Sequence, residues 1–133
     1  MKDKAIMMLL FLGMAIYSVA QDSTCFVDAK CIEFKRYMDS CINELIFDVR
    51  PGDLFKNKII RDAINVSTID NLHSIADTLD KDTPILVYCT IGVRSVKVCN
   101  ILCEKGFNLV VNLNGGIEDW KKKDFETVKL KKR

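Results

Sequence analysis

The sequence predicts an α/β domain, with a central, mostly parallel sheet of about five strands and helices on both faces. Short β-branched or apolar runs, bounded by turn residues and lacking strict alternation, recur along the chain, as expected of strands buried on both sides. Between them apolar residues fall at helical spacing. Strand and helix patterns therefore alternate, which is the signature of a sheet covered by its own crossover helices. With 133 residues, 49% of them apolar, the chain has the length and composition for one compact core and excludes disordered, collagenous and coiled-coil classes.

The first twenty residues are set apart as a signal peptide. Met1-Lys2-Asp3-Lys4 is a short basic start, Ala5 to Tyr17 is apolar throughout, and Ser18-Val19-Ala20 offers small residues at a cleavage site. The apolar run is shorter than the ~20 residues a bilayer requires, so cleavage is expected rather than a retained membrane span. The expected product is a single domain over residues 21–133, exported to the periplasm or the medium.

Phe26-Val27 is a short leading strand, and Asp28 to Ser40 reads as a helix carrying Cys31, Phe34, Met38 and Cys41 near one side. Leu45-Ile46-Phe47 is the first long strand and runs into Asp48-Val49-Arg50. Ala63 to Val66 is the next strand. A helix follows on Ile69, Leu72, Ile75, Ala76 and Leu79. Ile85 to Tyr88 is the most apolar strand, succeeded by a helical pattern on Val98, Ile101 and Leu102 that Gly106 stops. Leu109-Val110-Val111 is the last strand, Gly115-Gly116 a turn, and Ile117 to Lys123 the last helix. The basic run Lys129 to Arg133 reads as a solvated end.

Twenty Lys and Arg stand against 18 Asp and Glu, a formal charge of +2, too small a surplus to hold a nucleic-acid backbone. Six cysteines stand against one histidine. That balance favours thiol chemistry or disulfides, and without a Cys-x-x-Cys pair no zinc or iron–sulfur ligand spacing is present. No metal or organic cofactor is expected.

The chemistry concentrates in Cys89-Thr90-Ile91-Gly92-Val93-Arg94-Ser95, which follows the strand Ile85 to Tyr88 and precedes a helix. In such sheets ligands bind beyond the carboxyl ends of the strands. Gly92 permits a tight curl in which backbone N–H groups converge on one point, and the helix N-terminus adds partial positive charge there. Such a nest stabilises a thiolate, and a lowered thiol pKa is what a nucleophilic Cys89 requires. Arg94 adds a permanent charge and a planar fork at the rim, suited to an oxyanion.

These residues resemble the rhodanese-like family. The active-loop pattern Cys-x-x-Gly-x-Arg-Ser is met by Cys89, Gly92, Arg94 and Ser95. Asp48-Val49-Arg50, Ala63 to Val66 and the late Asn112 to Trp120 match its other short motifs in order and spacing. The resemblance implies a sulfurtransferase: Cys89 takes a sulfane sulfur from thiosulfate, a polysulfide or a persulfide and passes it to a thiol or cyanide acceptor. The acceptor is a small molecule or a thiol carried on a protein. The persulfide would sit among the amides of Thr90 through Arg94, with Ser95 completing the loop. Four residues between Cys89 and Arg94, rather than the five of related phosphatases, disfavour phosphatase activity. The family's Gly-His-Ile-x-Gly-Ala stretch is replaced by Lys58-Ile59-Ile60-Arg61-Asp62-Ala63, without either glycine or the histidine. Apolar Ile91 and Val93 stand where thiosulfate-preferring members carry extra basic residues, which argues against thiosulfate as the physiological donor.

Other readings stand beside these. A non-catalytic module that recognises a partner or carries sulfur, and an envelope thiol redox protein using Cys89 with a second cysteine, are the alternatives for function. Asp48 and Arg50 are placed to brace the active loop. Cys99 and Cys103 read as small core residues, His73 as a surface residue, and Trp120 as packing the last helix on the sheet. Cys31 and Cys41, ~15 Å apart along one helix, lie beyond disulfide reach of each other. The expected pairing is therefore Cys25 with one of them.

Overall fold

The computed structural model describes residues 24–130, so the signal-peptide segment and the end of the basic tail lie outside the described residues. Strands β1 (Val27–Ala29), β2 (Leu45–Asp48), β3 (Ile64–Asn65), β4 (Ile85–Tyr88) and β5 (Val110–Leu113) form one sheet. Their order is β1-β5-β4-β2-β3 and every pairing is parallel. Helices α1 (Cys31–Ser40) and α4 (Gly116–Lys122) cover one face, α2 (Ile69–Ala76) and α3 (Arg94–Glu104) the other. Among the described residues no helix is long and apolar enough to cross a membrane.

β4 is the centre of the molecule, and its four residues are wholly buried. Ile85 and Val87 face the α2–α3 side, Leu86 and Tyr88 the α1–α4 side, and Cys89 continues the alternation on the α2–α3 side. This explains why the strand reads as a continuous apolar run: neither face meets water. The chain leaves β4 toward β5 on one side while β2 and β3 lie on the other, so the end of β4 is the point where strand order reverses.

Local signals set most boundaries. The Thr68 hydroxyl accepts from the Asn71 amide at 3.2 Å and opens α2. α3 closes on Gly106 at φ +89°, with the Gly106 amide on the Cys103 carbonyl and the Phe107 amide on the Leu102 carbonyl. Those paired bonds satisfy carbonyls that the helix end would leave open. Trp120 packs α4 onto the sheet: it is buried, lies edge-on to Phe34 at 6.0 Å, and donates through Nε1 to the Glu126 carbonyl at 2.9 Å.

Two expectations are corrected. Asp28 belongs to β1 and not to the first helix, which starts at Cys31; β1 pairs in register with β5, and the Asp28 carboxylate accepts from Asn112 and Asn114. Cys25 pairs with Cys103 and not with Cys31 or Cys41. The reason is the sheet. Cys25 precedes β1 on the side that α3 covers, whereas Cys31 follows β1 and is buried on the opposite face with its Sγ 3.6 Å from Asp119 Oδ2. Cys103 is thus a crosslink and not a simple core residue, while Cys99 is buried as expected.

The Lys58–Ala63 stretch keeps a left-handed backbone without glycine. Lys58 and Asp62, at the positions of the two missing glycines, have φ of +51° and +63°. Ile59 and Ile60 between them are buried, and Ile59 exchanges hydrogen bonds with Val128, so surrounding contacts hold the strained conformation in place.

The crosslink closes a span of 78 residues. Cys25→Ser is expected to lower the free energy of unfolding by about 4.5 kcal/mol if the chain entropy of that loop alone decides it, measured by denaturant titration without reductant. Lys58→Gly and Asp62→Gly are each expected to raise it by about 0.5–1 kcal/mol, because glycine adopts positive φ without the side-chain clash; a loss of stability in both would contradict the assigned backbone.

Candidate active site

Cys89 stands one residue beyond the central strand, 3% exposed, at the floor of a cleft. The loop after it curls back over the sulfur. The Gly92 amide donates to Cys89 Sγ at 3.2 Å and the Ser95 amide at 3.4 Å, with the Ser95 hydroxyl at 3.3 Å. Ser95 is fully buried in the first turn of α3, so its amide and hydroxyl are held by the helix. The amides on the sulfur itself are thus those of Gly92 and Ser95, the latter one residue beyond the expected cradle.

The curl has two structural requirements. Gly92 takes φ +89°, and a Cβ there would stand 3.0 Å from the Gly115 amide nitrogen and 3.2 Å from the Leu113 carbonyl oxygen. On the other side, the Ile117 amide donates to the Cys89 carbonyl at 2.9 Å and the Glu118 amide to the Thr90 carbonyl at 3.1 Å. With those carbonyls turned toward the start of α4, the loop amides are left facing the sulfur. Gly116 makes the approach possible, since a Cβ at that position would lie 2.6 Å from the Cys89 carbonyl oxygen. The sequence marked Gly115-Gly116 only as a turn. Its part in shaping the loop depends on contacts such as that of Gly116 with Cys89, between segments far apart in the chain, which no local pattern reveals.

Burial pushes the Cys89 thiol up, and the bonds from the Ser95 hydroxyl and from the amides of Ser95 and Gly92 outweigh it. The net direction is down, so the thiolate is favoured at lower pH than for an ordinary thiol. Cys99 shows the opposite balance: buried on the inner face of α3 without such donors, and near the charges of Asp28 and Cys89, its thiol is pushed well above the usual range. Cys89 is the activated thiol of the pair.

The remaining site residues separate into those facing the cleft and those behind it. Thr90, Ile91, Val93 and Arg94 line the cleft with Cys89, and Ile91 and Val93 project into solvent. Asp48 and Arg50 are buried and pair with each other, Arg50 Nη2 lying 2.6 Å from Asp48 Oδ2. Arg50 also donates to the Lys58 carbonyl and lies 5.6 Å from the centroid of the Tyr88 ring, while the Tyr88 hydroxyl accepts from the Ile60 amide. The pair braces the end of β2 against the Lys58–Ala63 stretch, and among the described residues neither side chain bonds to residues 89–95. His73 is exposed on α2.

The cleft occupies about 1050 Å³ beyond the carboxyl ends of β2, β3 and β4. Its far wall comes from a short 3-10 helix at Leu54–Lys56 and from the start of α2, contributing Leu54 and Ile69, while Lys97 of α3 adds a second cation beside Arg94. The sequence pattern placed Ile69 in the apolar stripe of the second helix, but the structure leaves it exposed in the cleft wall, and Leu54 and Lys97 carried no local signal, because the sheet assembles the three from separate segments.

The cysteine at the end of the central strand is thus wrapped by its own amide loop at the start of a helix. The profile of the Rhodanese-like domain family matches residues 32–123. The chain belongs to the rhodanese-like domain family. It is 39% identical over 77 residues to thiosulfate sulfurtransferase GlpE of Coxiella burnetii, covering 58% of this chain and 71% of that one. To the protein of the same name from Shewanella oneidensis it is 37% identical over 75 residues, covering 56% and 73%. A crystal structure of a rhodanese-related protein from Thermoplasma volcanium superposes with a TM-score of 0.66 at 23% identity, over 77% of this chain and 98% of that one, and shares the rhodanese-like fold.

Removing the Ser95 hydroxyl tests the electrostatic account. Ser95→Ala is expected to move the pH midpoint of Cys89 alkylation by iodoacetamide upward, because a donor that favours the thiolate is lost. A midpoint that stays in place would show that the amides alone set the thiol.

Proposed function

We propose that this chain is an exported rhodanese-type sulfurtransferase in which Cys89 carries sulfane sulfur as a persulfide. The observation that carries the reading is the set of donors converging on Cys89 Sγ from Gly92 and Ser95. The relatives named thiosulfate sulfurtransferase support the reaction class.

The Cys89 thiolate attacks the outer sulfur of a donor such as thiosulfate, a polysulfide or a persulfide. A Cys89 S–S bond forms, the donor's S–S bond breaks, and the leaving group departs with the bonding pair. The persulfide keeps one negative charge, now on its outer sulfur, which the loop amides and the start of α3 stabilise as they stabilised the thiolate. A thiol or cyanide acceptor, free or carried on a protein, then attacks that outer sulfur and restores the Cys89 thiolate. Arg94, exposed at the rim, offers a fixed cation to an anionic donor or leaving group.

Export is supported by the signal-peptide pattern of residues 1–20 and by the Cys25–Cys103 disulfide, which suits an oxidising compartment. N-terminal sequencing of the protein from its native source is expected to begin at Gln21; material beginning at Met1 would contradict processing.

Cys89→Ser is expected to reduce sulfur transfer to the uncatalysed background, assayed as thiocyanate formed from cyanide, with an unfolding midpoint near that of the parent. Cys41→Ser, at a half-buried cysteine beyond the end of α1, is expected to retain activity. Activity that survives in folded Cys89→Ser would end the proposal.

A further inference from the structure

The walls of the cleft differ from its floor. Eight large apolar side chains are exposed among the described residues, and four of them, Leu54, Ile69, Ile91 and Val93, stand around the Cys89 cleft at 46%, 50%, 61% and 68% exposure. Two lie on each side: Leu54 and Ile69 on the far wall, Ile91 and Val93 on the active loop. Half the exposed apolar residues gathered at the mouth above one nucleophile is a concentration that scattered surface residues do not produce. The charge pattern is equally one-sided. Arg94 and Lys97 are the charged residues lining the cleft; no carboxylate lines it, and neither cation takes part in an ion pair among the described residues.

A ligand complementary to these walls is an anion with an apolar body. Thiosulfate would satisfy the cations, but it is compact and strongly hydrated and has nothing to place against Leu54, Ile69, Ile91 and Val93. At about 1050 Å³ the cleft has the scale of a small-molecule site and room for an organic group.

We propose that the sulfur donor is an organic anion that carries a sulfane sulfur at one end and an apolar group at the other, selected by Leu54 and Ile69 facing Ile91 and Val93 and oriented by Arg94 and Lys97. The inference rests on the reading of Cys89 as the sulfur carrier. For an organic thiosulfonate, R–SO2–S⁻, the Cys89 thiolate attacks the terminal sulfur and the bond between that sulfur and the sulfonyl sulfur breaks. The sulfinate R–SO2⁻ leaves with the bonding pair, and Cys89–S–S⁻ remains. Two negative charges enter and two leave, and no proton is transferred. The departing sulfinate is the anion that Arg94 and Lys97 face, and R is the group against the apolar walls.

The test compares thiosulfate, methanethiosulfonate and benzenethiosulfonate as donors to the parent protein, with cyanide as acceptor. Each kcat/KM is divided by the rate constant of the same donor with free cysteine, which removes intrinsic reactivity. The corrected value for benzenethiosulfonate is expected to exceed that for methanethiosulfonate about tenfold or more, since the ring buries against the apolar walls. In the double variants I91S/V93S and L54S/I69S that ratio is expected to fall several-fold, and as a ratio it is insensitive to a uniform loss of activity. A parent ratio near one, or a ratio unchanged in both variants, would overturn the inference while leaving sulfur transfer through Cys89 standing. Failure of all three donors to place sulfur on Cys89 would overturn the sulfurtransferase reading and this inference with it.

Discussion

The site depends on the direction in which the peptide groups after Cys89 point. A buried cysteine is ordinarily a poor nucleophile, because burial penalises its charged form. Here the loop turns its amides inward, so that Gly92 and Ser95 donate to the sulfur while the carbonyls of Cys89 and Thr90 are taken by amides at the start of α4. The glycines at 92 and 116 are the local requirements of that orientation, and their tight contacts join the active loop to the turn after β5.

The fold holds this arrangement from both faces. α3, packed on one side of the sheet, supplies Ser95, and α4, packed on the other, fixes the loop carbonyls. The sheet between them is anchored at one edge by β1, which the Cys25–Cys103 disulfide ties to the far end of α3. The helix that presents Ser95 to the sulfur is therefore fixed covalently at its other end. Behind β4, the buried Asp48–Arg50 pair and the Tyr88 hydroxyl hold the Lys58–Ala63 stretch against the sheet, in place of the backbone freedom that glycine would give.

Much of this was legible in the sequence because it is written locally. The run Ile85 to Tyr88, the curl at Gly92 and the stop at Gly106 each carry their signal within a few residues, whereas the cradle itself shifts by one residue, with the Ser95 amide of α3 on the sulfur. What was not legible depends on distance in the chain. The partner of Cys25 is set by which face of β5 the α3 helix covers, and spacing among Cys25, Cys31 and Cys41 holds no information about that. Asp28 read as helical because its neighbours carry a helical pattern, yet pairing of β1 with β5 claims it for the sheet. The left-handed backbone at Lys58 and Asp62 is imposed by buried Ile59 and Ile60 against the residues' own preference. The apolar walls of the cleft combine Leu54, Ile69, Ile91 and Val93 from three segments that meet only once the sheet has formed.

The central claim is that the sulfur held by these amides is the one that carries the transferred atom. Intact-mass spectrometry of the reduced, desalted protein after exposure to a polysulfide, with peptide mapping of the product, tests it directly. The account predicts a gain of one sulfur, about 32 Da, located on Cys89 and removed by cyanide. A folded protein that gains no sulfur there, or gains it on Cys31, Cys41 or Cys99 instead, would contradict it.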